Sequence, residues 1–87
     1  MKFEDIFVFR AERFSIGIEK DSGKYYLAIP VSNGLVEYEE YYEVDRADFD
    51  RFSMSLDSMR RIASLSRDRK NDARLIQKPG RLRGEPT

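Results

Sequence analysis

Between Phe14 and Val44 the chain alternates apolar and polar positions with period two, interrupted by the turn signals Asp21-Ser22-Gly23 and Ser32-Asn33-Gly34. Asn-Gly is the strongest short hairpin signal, because a tight turn asks for positive φ at both residues. A two-residue loop at Asn33-Gly34 sets Val31 against Val36, Ile29 against Tyr38, Leu27 against Glu40 and Tyr25 against Tyr42. That face is apolar except for Glu40. On the other face Pro30 meets Glu37, Ala28 meets Glu39, Tyr26 meets Tyr41 and Lys24 meets Glu43. A loop at Ser22-Gly23 sets Ile18 against Leu27, Ile16 against Ile29 and Phe14 against Val31, all on the same apolar face. A slip of one residue would invert every side chain, so the agreement of both hairpins supports the parity. The pattern predicts a three-stranded antiparallel meander, Phe14–Glu19, Lys24–Val31 and Leu35–Val44. Pro30 cannot donate to a ladder, which predicts imperfect pairing or a bulge there. Ile6–Arg10 ("IFVFR") predicts a fourth strand, its unbroken apolar run leaving the buried face open.

The period then changes. Phe49, Phe52, Leu56, Met59 and Ala63 recur at three and four, with Ile62 beside them, and predict one helix over residues 46–67 with Phe52 at its centre. Asp45 suits its N-cap. Asp57 and Arg61 are spaced as an i, i+4 ion pair. This helix lies across the apolar face of the sheet, so the fold class is α+β: a three- or four-stranded antiparallel meander, one C-terminal helix on one face, then a basic tail. Residues 1–70 form the domain. Residues 71–87 form a basic, partly flexible tail, in which Ala73–Lys78 fits a short strand or a helix extension. After Lys78, two Pro and two Gly predict mobility.

Charge sharpens this division. The net charge is zero. Residues 1–66 carry nine Lys/Arg against thirteen Asp/Glu, a net −4, while residues 67–87 carry seven against three, a net +4. An acidic body with a basic end is a polarised molecule, which points to partners. The start, "MKFEDIFVFR", carries Glu4 and Asp5 and does not read as a secretory signal. No apolar run reaches membrane-spanning length. With no Cys in the sequence, the expected compartment is the cytoplasm.

Catalysis has little to work with. No His or Cys is present, which removes the commonest general base, the thiol nucleophile and the usual zinc ligands. Gly17, Gly23 and Gly34 stand alone and form no phosphate loop. The serines of Arg51–Asp68 read as helix surface. Glu37, Glu39 and Glu43 spread over about 20 Å at strand rise and do not converge on a cation. The expectation is no enzyme, no metal and no cofactor.

The stretch "VEYEEYYEVDRADFD" (Val36–Asp50) packs seven carboxylates around three tyrosines. Tyr26, Glu37, Glu39, Tyr41 and Glu43 share the face turned from the helix. Tyrosines among carboxylates suit a basic protein partner, the charge steering encounter and the rings holding the complex. A solvated strand face is the competing reading; it explains the glutamates, and explains less well Tyr41 on the same face and Glu40 on the core face. Two alternatives stand beside this docking surface. Arg67, Arg69, Lys70, Arg74, Lys78, Arg81 and Arg83 offer a basic arm for nucleic-acid phosphates. An exposed sheet edge offers a route to a homo-oligomer.

The run "KYYLAIPVSNGLVEYEEYYEVD" resembles the hairpin of small bacterial immunity proteins, the antidotes of contact-dependent inhibition and related polymorphic toxins. The resemblance covers about a quarter of the chain. It implies a role rather than a fold: a cytoplasmic inhibitor that neutralises a toxin domain, often a nuclease, by non-covalent binding.

Overall fold

The computed structural model describes residues 1–87. Four strands, β1 (Phe3–Phe9), β2 (Phe14–Glu19), β3 (Lys24–Ser32) and β4 (Glu37–Val44), form an antiparallel meander in chain order. Both hairpins keep the expected faces, but each register is shifted by two residues. Val31 faces Tyr38, Ile29 faces Glu40, Leu27 faces Tyr42 and Tyr25 faces Val44. Upstream, Ile16 faces Leu27 and Ile18 faces Tyr25. Side chains repeat every two residues along a strand, so a shift of two leaves every residue on its face.

Side-chain capping lengthens each loop to four residues. At the first, the Glu19 carboxylate accepts backbone N–H groups from Asp21 and Ser22, each at 2.9 Å. At the second, Asn33 Oδ1 accepts from Leu35 and Val36, each at 2.9 Å. Only Gly34 takes positive φ there, at 88°, and Asn33 does not. The two-residue turn that needs both is therefore not formed. The bulge expected at Pro30 is absent, and Pro30 pairs with Glu39. Its carbonyl accepts Thr87 N–H at 3.1 Å. Its nitrogen therefore points to the same side, where β2 has already ended and no ladder bond is lost.

The irregularity lies instead in β1, between Asp5 and Phe7. The extra residue, Ile6, switches parity. Asp5 stands opposite Gly17 and Phe7 opposite Ile16, which puts Phe3, Asp5 and Val8 on the face away from the helices. Phe7 and Phe9 turn toward the core, where Phe9 meets Phe14 at 5.1 Å.

The single helix over 46–67 is not formed. It is divided into α1 (Arg46–Asp50) and α2 (Asp57–Arg67). Ser55 Oγ accepts Asp57 N–H at 3.2 Å, a local bond that competes with helix continuation. Asp45 holds the N-cap position of α1 but makes no side-chain cap bond. The expected Asp57–Arg61 pair is Asp57–Arg60, at 3.4 Å. The core comprises Phe14, Ile16, Leu27, Ile29, Val31, Tyr42 and Val44 from the sheet, with Phe49, Met59 and Ala63 from the helices. Phe52 is only half-buried and flanks the core between Phe7 and Phe49. Phe49 and Met59 hold the place expected of it.

The C-terminal segment folds back instead of trailing. A 3₁₀ turn (Asp72–Arg74) leads Leu75 into a bridge with Tyr42, and Ile76 N–H donates to Tyr41 O at 2.9 Å. These contacts cover the outer edge of β4. The short strand β5 (Glu85–Pro86) then pairs with Val31 and Ser32 of β3, beyond the end of β2.

Candidate functional site

Burial on the face away from the helices begins at Gly17. Its neighbour on β3 is Tyr26. With no side chain on Gly17, the Tyr26 ring crosses β2 and its hydroxyl donates to Asp5 on β1 at 2.6 Å. Phe3 closes edge-on against Tyr26 at 5.5 Å and stacks on Tyr41 at 3.7 Å. Phe3 and Tyr41 lie on β1 and β4, with two strands between them. Their stacking requires the sheet to curl, with this face concave. The extra residue in β1 and the bare backbone at Gly17 are devices that permit such curvature.

The five residues expected to form an accessible docking surface therefore divide. Tyr26 is fully buried and is no contact residue; burial, then the bond to Asp5, pushes its pKa upward. Tyr41 is half-buried beneath Phe3, and burial and the Glu39 charge push its hydroxyl up to about 12. Glu43 lies within 3.9 Å of Lys24. Glu37 is exposed and Glu39 half-buried. No cation stands within salt-bridge distance of either carboxylate. Burial, reinforced by the neighbouring Asp5, raises the pKa of Glu39, while a bond from Tyr41 partly opposes this.

Glu39 lines two depressions, one on either hand. One, of about 260 Å³, lies between β4 and residues 77–82 and is lined by Tyr38, Tyr41, Lys78 and Leu82. The other, of about 210 Å³, lies on the concave face among Val8, Arg10, Ser15 and Pro30.

The basic arm is largely drawn into the body. Arg67 donates to the carbonyls of Glu12 and Arg13. Arg74 reaches Asp45 at 3.5 Å. Arg69 and Arg83 converge on Glu40, the acid out of place on the core face. Arg83 Nε donates to Glu40 Oε2 at 2.7 Å, and its two Nη atoms grip Asp72 at 2.8 and 2.9 Å. Arg69 donates to Glu40 Oε1 and to Gly84 O. Tyr42 OH adds a third donor to Glu40, at 2.9 Å. Burial works to raise the Glu40 pKa, but the bonds from Arg83, Tyr42 and Arg69 outweigh it and hold the carboxyl below its ordinary range. Asp72 is lowered in the same sense, first by its bonds to Arg83. Arg69 arrives by an αL residue at the end of α2, with φ 61°. Arg69 N–H reaches Ser66 O and Lys70 N–H reaches Leu65 O, a helix end at which glycine is the usual choice. Of the seven basic residues, Arg69, Arg74 and Arg83 make ion pairs, and Arg67, Lys70, Lys78 and Arg81 make none.

Glu40 was visible in the sequence as a misplaced acid, and the clustered arginines were visible too. Their pairing spans 29 and 43 residues, beyond the reach of local periodicity. Glu19, the other buried carboxylate, carried no signal beyond its place before a turn. No helix is long and apolar enough to cross a membrane. No family model, curated protein or solved structure matches the chain.

Proposed function

We propose that this chain is a protein-binding module that docks a basic partner protein on the β4 side of its concave face, with Glu39 at the centre. The observation that carries the reading is Glu39 itself, a half-buried carboxylate between two depressions with no cation of its own. A carboxylate loses hydration on burial, and its own chain gives this one no compensating ion pair. A Lys or Arg from a partner would supply it. Glu37, exposed on the same face, extends the negative strip and would steer encounter. Tyr38 and Tyr41, which line the larger depression, offer ring surface to an inserted side chain.

In this reading the partner is a toxin domain of the kind implied by the hairpin's resemblance to immunity proteins, and the chain acts as its non-covalent inhibitor in the cytoplasm. The nucleic-acid alternative is less well supported, because Arg67, Arg69, Arg74 and Arg83 are engaged within the fold. Affinity capture of the native protein from its own cells tests the proposal. A stoichiometric basic protein is expected for the parent, with association slowed by Glu39→Lys. Nucleic acid in the eluate, lost with Lys78→Glu and Arg81→Glu but kept with Glu39→Lys, would transfer the function to the basic segment.

A further inference from the structure

The two long edges of the sheet are treated differently. β4 is covered by Leu75 and Ile76. β1 pairs only with β2, yet it carries an apolar run in which Ile6 is 46% exposed, Phe7 49% and Val8 54%. Open edges are normally blunted by charge, proline, a bulge or cover; β1 has a bulge at Ile6, but Ile6, Phe7 and Val8 are neither charged nor covered. We infer that β1 pairs antiparallel with β1 of a second copy, across a two-fold axis between Ile6 and Phe7.

The register follows from the ladder. Lys20 N–H donates to Lys2 O at 2.8 Å, so alternate residues from Lys2 turn their backbone groups toward β2. Phe3 and Asp5 therefore turn theirs outward, and beyond the extra residue at Ile6 so does Val8. An axis between Ile6 and Phe7 sets Asp5 opposite Val8 of the copy and Phe3 opposite Arg10 of the copy, so outward-facing groups meet. The charges agree with it. Arg10 makes no ion pair in its own chain, and Asp5, which accepts only the Tyr26 hydroxyl, has no cation. In this register each Arg10 lies diagonal to the other copy's Asp5, within reach of a long side chain, and over its Phe3 ring. The two-fold makes the contact twice. It also brings a positive charge to the carboxylate that repels Glu39.

Sedimentation velocity on the purified chain tests this without any other partner. The parent is expected to be a dimer at micromolar concentration. Val8→Pro removes an outward N–H from an edge strand, Val8→Lys puts like charges at the interface, and Arg10→Glu faces Asp5 with its own sign. Each is expected to weaken the dimer by about tenfold or more, with the circular dichroism of the parent retained by at least Val8→Lys and Arg10→Glu. A monomeric parent, or a dimer that persists undiminished in folded Val8→Lys and Arg10→Glu, would overturn the inference.

Discussion

Tyr26 lies across Gly17, and its hydroxyl reaches Asp5 on the far strand at 2.6 Å. A Cβ at Gly17 would collide with the Tyr26 ring and with the Glu4 carbonyl. The carbonyl belongs to a paired strand and cannot swing aside. Gly17→Ala is expected to destabilise the fold by about 1–3 kcal/mol, the usual range for overpacking. Urea unfolding measures it; an unchanged midpoint would mean that the ring does not occupy that position.

Glu40 ties three donors together while only 5% of its side chain is exposed. Removing one member of a buried ion cluster costs about 3–5 kcal/mol, because the remaining charges lose their compensation. Arg69 and Arg83 are each about a quarter exposed, so Glu40→Ala should fall near the lower end, about 3 kcal/mol by chemical denaturation. A loss below about 1 kcal/mol, the value of a surface pair, would show that water reaches the cluster.

Truncation after Lys78 removes Arg83, β5 and the Thr87 contacts with Pro30 and Arg13. The two Pro and two Gly after Lys78 predict a mobile segment whose removal leaves the melting temperature nearly unchanged, and its packing reverses that expectation. A loss of about 3 kcal/mol, or roughly a 15 °C fall in melting temperature for a domain of this size, is the predicted result. A melting curve that superimposes on the parent's would restore the mobile tail.

Glu19 gives a pH signature. A hydrogen bond from Ser22, then backbone N–H groups of Lys2 and Asp21, hold its carboxyl at about 2 against an ordinary 4.5. A lowered folded pKa stabilises the protein fully above the unfolded value, and the contribution is lost as pH falls through the folded one. The midpoint difference between the parent and Glu19→Gln should therefore be largest above 4.5 and shrink toward zero near 2. A difference independent of pH would assign the effect to packing.

Glu39 has the opposite sign. Burial and Asp5 raise its pKa, so the stability tied to its protonated form is present at low pH and lost as pH rises through the folded value. Glu39→Gln should raise the melting temperature slightly at neutral pH and leave it nearly unchanged at about pH 3, where the parent carboxyl is itself neutral. Any destabilisation at neutral pH would mean that the carboxylate has a cation after all.

Strand parity was legible because Leu27, Ile29, Val31, Tyr42 and Val44 repeat with the pleat, and any even shift preserves it. The exact register was not, because Glu19 and Asn33 capped their turns with side-chain oxygens and added two residues to each. The helical stripe was legible, but its break was not: Ser55 and the exposed Met54 interrupt an apolar spacing that reads straight through them. At the candidate site, Glu37 is exposed and Glu39 half-buried. Tyr26 is buried, because its surroundings are set by Gly17, Phe3 and the extra residue at Ile6, on strands whose pairing the local pattern left open.

The grip of Arg83 on Glu40 also sets an order of events during synthesis. Glu40 emerges from the ribosome forty-three residues before Arg83 and carries a charge that the apolar face cannot accept alone. Until Arg69 and then Arg83 arrive, burying that strand is opposed by an incompletely paired carboxylate, and the stretch of β3 at Val31 and Ser32 waits for β5. Closing the Glu40–Arg83 pair is thus a late, long-range step, and contacts of high sequence separation form slowly.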